Sequence, residues 1–210
     1  MIRGLMTRWP GPSTRSEMVE PAAGSLKLHS PCSTADAVFS PCGRYRWLLH
    51  RPIPLSPLDG PSRLLLFVGL NPSLADGSRD DPTLRRLRNF ARDWGYHQLV
   101  VLNLFGRVTP SPGGLRHCAD PVGREADRVL ISWFERWSGS PSWDLWLGWG
   151  EAGALHSRDQ EVERMIMEFM PLRVQGDPPL VIGTTRNGQP RHPLYVAAGK
   201  PLSPWACTVR

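Results

Sequence analysis

Four short blocks of this chain are apolar with almost no polar interruption: RLLLFVGL (63–70), QLVVLNLF (98–105), WDLWLGWG (143–150) and PPLVIG (178–183). Apolar residues on both faces predict fully buried strands rather than half-exposed ones. Between them lie amphipathic segments. DDPTLRRLRNFARDWGY begins with Asp80 and Asp81 as cap candidates and Pro82 at the first helical position, and it stops at Gly95. Leu84, Leu87 and Ala91 recur at helical spacing with Phe90 and Trp94 beside them, while Arg85, Arg86, Arg88 and Arg92 take the remaining surface. A second helix is predicted from about Asp120-Pro121 through ADRVLISWFERW, and a third over RDQEVERMIMEFM. Strands alternating with helices predict an α/β fold, a three-layer α/β/α sandwich around a central, mostly parallel four-stranded sheet.

Ahead of these blocks, FSPCGRYRWLLHR reads as a hairpin or strand entering the fold, and PIPLSPLDGPS as a Pro-rich connector. Residues 1–37 are rich in Pro, Gly, Ser and Ala without apolar periodicity and predict a loosely ordered arm, leaving 38–210 as one domain.

The longest apolar run, Leu64 to Leu70, is far short of the ~20 residues of a membrane helix. The first residues lack the apolar core of a signal peptide, so a cytoplasmic protein with no membrane partner is expected. Cys32, Cys42, Cys118 and Cys207 are scattered, which argues against a zinc site or a disulfide framework; no metal and no cofactor is expected. The net charge is +6, and 23 of the 25 basic residues are arginines. Arginine is the bidentate reader of phosphate, although a GC-rich genome produces the same bias.

In open α/β sheets, ligands bind at the carboxyl ends of the strands. That rule selects Gly69-Leu70-Asn71-Pro72-Ser73, Asn103-Leu104-Phe105, Gly148-Trp149-Gly150 and the loop Thr184 to Tyr195. Asn71 in GLNPS reads as a turn residue, or as a carboxamide that accepts a hydrogen bond from a water and aims it. Asn103 ends an apolar strand and must find partners for a donor and an acceptor, either in a loop backbone or on the edge of a pyrimidine. Phe105 is a core residue or a stacking platform for a base. In TTRNGQPRHPLY, prolines frame Arg191 and His192; the histidine is a solvated loop residue or a donor to an anionic leaving group. Arg85, Arg86, Arg107, Arg186 and Arg191 are the candidates for phosphate contacts.

Asn71 in GLNPS, Asn103 in VLNLFGRVT, WLGWGEAGA and His192 in RHPLY occur in the order and approximate spacing of the uracil-DNA glycosylase superfamily, which residues 64 to 195 resemble. With FSPCGRYRW, DDPTLRR and GQPRHPLY included, the pattern looks closer to a bacterial and phage-associated family of unassigned function that resembles a divergent branch of that superfamily. Ser73 stands where those motifs usually carry Gly, and Leu194-Tyr195 where they carry Ser-Pro. The resemblance implies that Asn71 positions the attacking water and that Asn103 reads the pyrimidine, with Gly69, Leu70, Pro72, Ser73 and Phe105 around the base. It implies that His192 stabilises the departing base.

The implied activity is a metal-independent, monofunctional DNA glycosylase, acting as a monomer on DNA. It would flip a non-standard or hypermodified pyrimidine and leave an abasic site, in base excision or antiviral defence. An enzyme of free nucleotides and a non-catalytic DNA-binding module are the alternatives. With Lys27 and Lys200 the only lysines, Schiff-base chemistry is not expected.

Overall fold

The structure, a computed structural model, describes residues 36–55, 61–73, 80–111 and 113–206. The chain divides into Met1–Ser30 and Pro31–Arg210, and the first unit, with most of the expected arm, lies outside the described residues. So do residues 56–60, 74–79, 112 and 207–210.

The four apolar blocks become β3 (Leu64–Gly69), β4 (Gln98–Asn103), β5 (Trp143–Leu147) and β6 (Leu180–Val181). They pair in parallel in the order β4-β3-β5-β6. The α/β class follows from the alternation of elements, but the sheet is larger than four strands and is mixed. β1 (Asp36–Phe39) and β2 (Arg46–Pro52) form an antiparallel hairpin added beside β4, and β7 (Ser203–Pro204) runs antiparallel beside β6. β1 starts inside the segment expected to be an arm, because Asp36 and Ala37 pair with His50 and Leu49.

Helix α1 (Pro82–Asp93) forms where the caps predict it: Asp81 accepts from the Leu84 amide at 2.6 Å, and Gly95, at φ +74°, turns the chain after the last turn. It buries Leu84, Leu87, Phe90 and Ala91 against Leu65, Phe67, Val101 and Trp146 of the sheet. Each of its large side chains contributes about 1.5–3 kcal/mol by leaving water. Leu64, Leu66 and Val68 alternate with Leu65 and Phe67 along β3 and are just as buried, so they face the other side. There α3 (Ala126–Ser138) lays down Val129, Leu130, Trp133, Phe134 and Trp137, with α4 (Arg158–Phe169) packed against it.

Two boundaries differ from expectation. α3 begins at Ala126, six residues late, because Asp120 is spent on a turn: its carboxylate accepts from the Gly123 amide at 2.7 Å and its carbonyl from the Tyr45 hydroxyl at 2.9 Å. The loop RVTPSPGGL holds one helical turn, α2 (Gly113–Arg116). Among the described residues no helix is long and apolar enough to cross a membrane.

A buried ion pair ties α1 to the hairpin. Arg51 Nε donates to Asp80 Oδ1 at 3.0 Å, and Arg88 Nη1 pairs with the other carboxylate oxygen at 2.5 Å. Burial alone would raise the Asp80 carboxyl, yet the two guanidiniums hold it below the ordinary carboxylate value. Its stabilising contribution is therefore present above the unfolded carboxylate pKa and disappears as pH falls through the lower folded value. Asp80→Asn is expected to cost about 2 kcal/mol at pH 7, intermediate between an exposed and a fully buried pair. In urea unfolding the gap from the wild type should narrow as the pH drops below 4; a gap independent of pH would contradict this account.

Candidate functional site

A cavity of about 660 Å³ opens at the carboxyl ends of the parallel strands and continues between α1 and the sheet. Its floor is apolar: Leu49, Phe67 and Val101 from the sheet, Leu84 and Leu87 from α1. The space exists because of a pairing register. Gly69 is the partner of Asn103, and a side-chain carbon at Gly69 would lie 2.9 Å from the Phe67 ring and 3.3 Å from Asn103 Oδ1. Gly148, at the end of β5, repeats the arrangement, with its missing carbon 2.5 Å from the same ring. Two glycines thus make room for one phenylalanine and leave the carboxamide open to the cavity.

Asn71 is held by its amino group. Nδ2 donates to the carbonyls of Pro72 (2.9 Å) and Thr109 (3.0 Å) and approaches Thr109 Oγ1 (3.3 Å). Thr109 gives its own hydroxyl proton to the Ser111 carbonyl, so three acceptors face Nδ2 and determine the orientation of the amide. Oδ1 is left in the cavity wall as an acceptor. Asn103 is the complement: only 8% exposed, it lines the cavity, and its buried Nδ2 has no protein partner. An unmatched buried donor costs about 1–3 kcal/mol.

His192 caps the short turn Pro193–Tyr195, its Nδ1 accepting weakly from the Leu194 amide at 3.4 Å. A neutral ring that accepts at Nδ1 carries its proton on Nε2. Burial lowers its pKa while the Asp81 carboxylate opposes the shift, which favours the neutral ring. Gly150, at φ +72°, lets the chain after β5 lie against the His192 backbone, with its amide donating to the Pro190 carbonyl at 2.8 Å. The loop is further fastened by Gln189, which accepts from Trp149 Nε1 at 2.7 Å and donates to Asp159 at 2.6 Å.

The structure brings Gly69, Leu70, Asn71, Ser73, Asn103, Arg186, Arg191 and His192 to one cavity. The others stand apart. Phe105 is fully buried behind the strand end, its amide bonded to the Leu70 carbonyl, so its ring has no open face for a base. Pro72 is buried and contributes only its carbonyl, to Asn71 and to the Thr109 amide. Arg85 donates to the Asp80 carbonyl, Arg86 lies over Phe90 and bonds the Val196 carbonyl, and Arg107 stands over Tyr45; none of the three lines the cavity.

The wall holds further residues. Asp81 is both the α1 cap and a wall residue, accepting from the Ser73 hydroxyl. Trp149, one of the strand-end residues that the sequence selects, forms part of the wall. Arg46, which has no site role in the sequence reading, is 4% exposed and lines the cavity, because β2 joins the sheet antiparallel and starts at the edge where the parallel strands end. A second hollow, bounded by Arg116, His117 and Leu155, shares Glu151 and Ala152 with the first.

Fold and site together define an α/β domain with a cavity built on the carboxyl ends of its parallel strands. The chain belongs to the family described as "Protein of unknown function (DUF1643)", whose model matches residues 46–194. That span runs from Arg46 to Leu194 and contains every cavity residue named above. No curated protein and no solved structure matches the chain.

Two outcomes are expected. In a proton NMR titration His192 should titrate below the ordinary histidine value, and Asp81→Asn, which keeps a capping side chain, should lower it further by removing the opposing charge. An unchanged or raised value in the variant would contradict the assigned coupling. Gln189→Leu strands Trp149 Nε1 and Asp159 and should cost about 2 kcal/mol in urea unfolding.

Proposed function

We propose that this chain is a monofunctional DNA glycosylase that flips a non-standard or modified pyrimidine from the stack, hydrolyses its N-glycosidic bond and leaves an abasic site, with hypermodified phage DNA as the target. The observation that carries this reading is the meeting, in one cavity, of two carboxamides, Asn71 and Asn103, and a histidine whose pKa burial lowers. The four central strands run parallel, in keeping with the uracil-DNA-glycosylase-like sandwich that the motifs imply.

Asn103 offers the carboxamide pattern that pairs with a pyrimidine edge, one donor and one acceptor. With the base held, Asn71 Oδ1 accepts a hydrogen bond from a water and directs its oxygen at C1′. A carboxamide is too weak a base to deprotonate that water early, which suits a reaction whose leaving group departs first and whose sugar passes through an oxocarbenium-like state. The departing base gains negative charge, which the His192 Nε2–H would stabilise by donating a hydrogen bond. Arg186 and Arg191 are exposed at the mouth, where a phosphate backbone would pass. Lys200, the one lysine among the described residues, does not line the cavity, which supports hydrolysis over lyase chemistry.

The test is alkali-revealed abasic sites on a panel of uracil-containing duplex and single strand, mismatched thymine, and phage DNA with hypermodified cytosine or thymine. The wild type should form abasic sites in at least one substrate. Asn71→Ala and His192→Ala should each lower the single-turnover rate by about 10²–10³. Binding should weaken steeply with salt. Abasic sites made equally by Asn71→Ala, or by no protein on any substrate, would refute the proposal; salt-insensitive binding of free nucleosides alone would favour a nucleotide enzyme.

A further inference from the structure

Beyond the end of β6 two cations from different segments come to one place. The chain turns there at Gly183, whose φ of +134° belongs to glycine, and the Gly183 carbonyl accepts from the Arg191 amide at 2.9 Å. A side-chain carbon at Gly183 would lie 3.3 Å from Lys200 Nζ and 3.8 Å from Arg191 Cδ. The missing carbon thus makes the space in which an ammonium and an arginine stem meet. Arg191 arrives on the loop that carries His192, and Lys200 on the chain that returns to pair as β7 beside β6.

Arg191 is oriented by its own stem. Nε donates to the Thr184 carbonyl at 2.8 Å, next to the bridge that joins Thr184 to Pro190, and its terminal nitrogens have no partner among the described residues. Lys200 has none among them either. Where Arg51 and Arg88 converge, the Asp80 carboxylate lies between them; among the described residues no carboxylate pairs with Arg191 or Lys200. Both are exposed, so water and salt screen them, yet two like charges side by side remain unfavourable and an anion between them relieves the repulsion.

Arg191 lines the cavity and Lys200 does not, so an anion touching both stands at the border of the cavity. A guanidinium presents hydrogens in a fixed plane, and an ammonium adds a compact charge that can turn toward its partner. A phosphate group, with several acceptor oxygens, satisfies both at once.

We infer that Arg191 and Lys200 together hold one phosphate group of a nucleotide ligand at the edge of the cavity. This rests on reading the ligand of the cavity as a nucleotide. The phosphate comes from a DNA strand or from a free nucleotide, and the two sources are told apart by the probe that binds.

The first probe is a labelled single-stranded oligonucleotide of ordinary mixed bases, titrated by fluorescence anisotropy with the full chain across a series of salt concentrations. Lys200→Gln and Arg191→Gln should each weaken binding about threefold or more at low salt, and the double variant should flatten the slope of log K against log salt by about 0.7, the worth of one single-strand phosphate. The double variant should lose less than the product of the two single losses, because both cations act on the same group. Lys200→Arg should keep the wild-type slope, and Arg124→Gln, which removes an exposed arginine beside Glu125, should not change it. The second probe is 2′-deoxyuridine 5′-monophosphate, compared with 2′-deoxyuridine by calorimetry. A monophosphate advantage abolished by Lys200→Gln, with no oligonucleotide bound, upholds the site and assigns its phosphate to a free nucleotide.

Thermal melting identifies a variant that has not folded. If Arg191→Gln is one, the exposed Lys200 decides: Lys200→Gln binding as tightly as the wild type overturns the inference, and loss restored by Lys200→Arg upholds it. The inference is also overturned by binding of both probes that ignores the two cations, by an equal loss in Arg124→Gln, by independent losses with a slope change of about 1.4, the mark of two separate phosphates, or by no binding of either probe. Abasic-site formation is scored separately. Abasic sites that require Asn71, with binding indifferent to Lys200 and Arg191, would keep the glycosylase reaction and overturn the phosphate site; binding that requires both cations, without abasic sites on any DNA, would do the reverse.

Discussion

The central strands bury both of their faces, and that constraint shapes the rest of the molecule. β3 is sealed by α1 on one side and by α3 on the other, with every residue from Leu64 to Val68 at most 2% exposed. A strand so enclosed has no lateral surface on which to present a polar group; polar chemistry can emerge only where it ends. Asn71, Asn103 and His192 all lie at or beyond such ends. The register that sets Gly69 against Asn103 then determines what emerges, since a one-residue slip would place a side chain over the carboxamide and turn Asn103 to the α3 face.

What was legible in the sequence follows the same division. Both-face apolarity and the cap Asp81-Pro82 identify β3, β4, β5 and α1 closely, because strand burial and capping are local properties. The hairpin's place in the sheet is not local. Nothing in RYRWLLHR says that β2 will lie antiparallel beside β4, and so nothing says that Arg46 will be buried in a cavity while Arg51 pairs with Asp80. Asn71 and Asn103 are legible as residues that need partners, whereas the orientation of each amide depends on Thr109, 38 residues away from Asn71, and on a glycine across the sheet. Phe105 misleads for the opposite reason: an aromatic one step past a strand end can turn either way, and here the backbone bond to Leu70 carries it inward.

The arginine surplus, which first suggests a phosphate-binding surface, divides once the partners are known. Arg51 and Arg158 are buried in ion pairs and carbonyl contacts. Arg186 and Arg191 are exposed at the cavity mouth. The loop that carries His192 thus adds exposed charge at the cavity, while other exposed arginines, Arg124 and Arg128 among them, are spread over the surface.

Arg173 sharpens this distinction. Its guanidinium collects the carbonyls of Trp137, Ser140, Trp143 and Asp177, binding the end of α3 to the start of β5 through a single planar group. An ammonium on a flexible stem has too few donors, in the wrong geometry, to replace it. A mutational bias toward arginine codons can explain basic residues on the surface, where either cation serves, but at this junction the genetic drift of base composition has no purchase: the residue is prescribed by four oxygens.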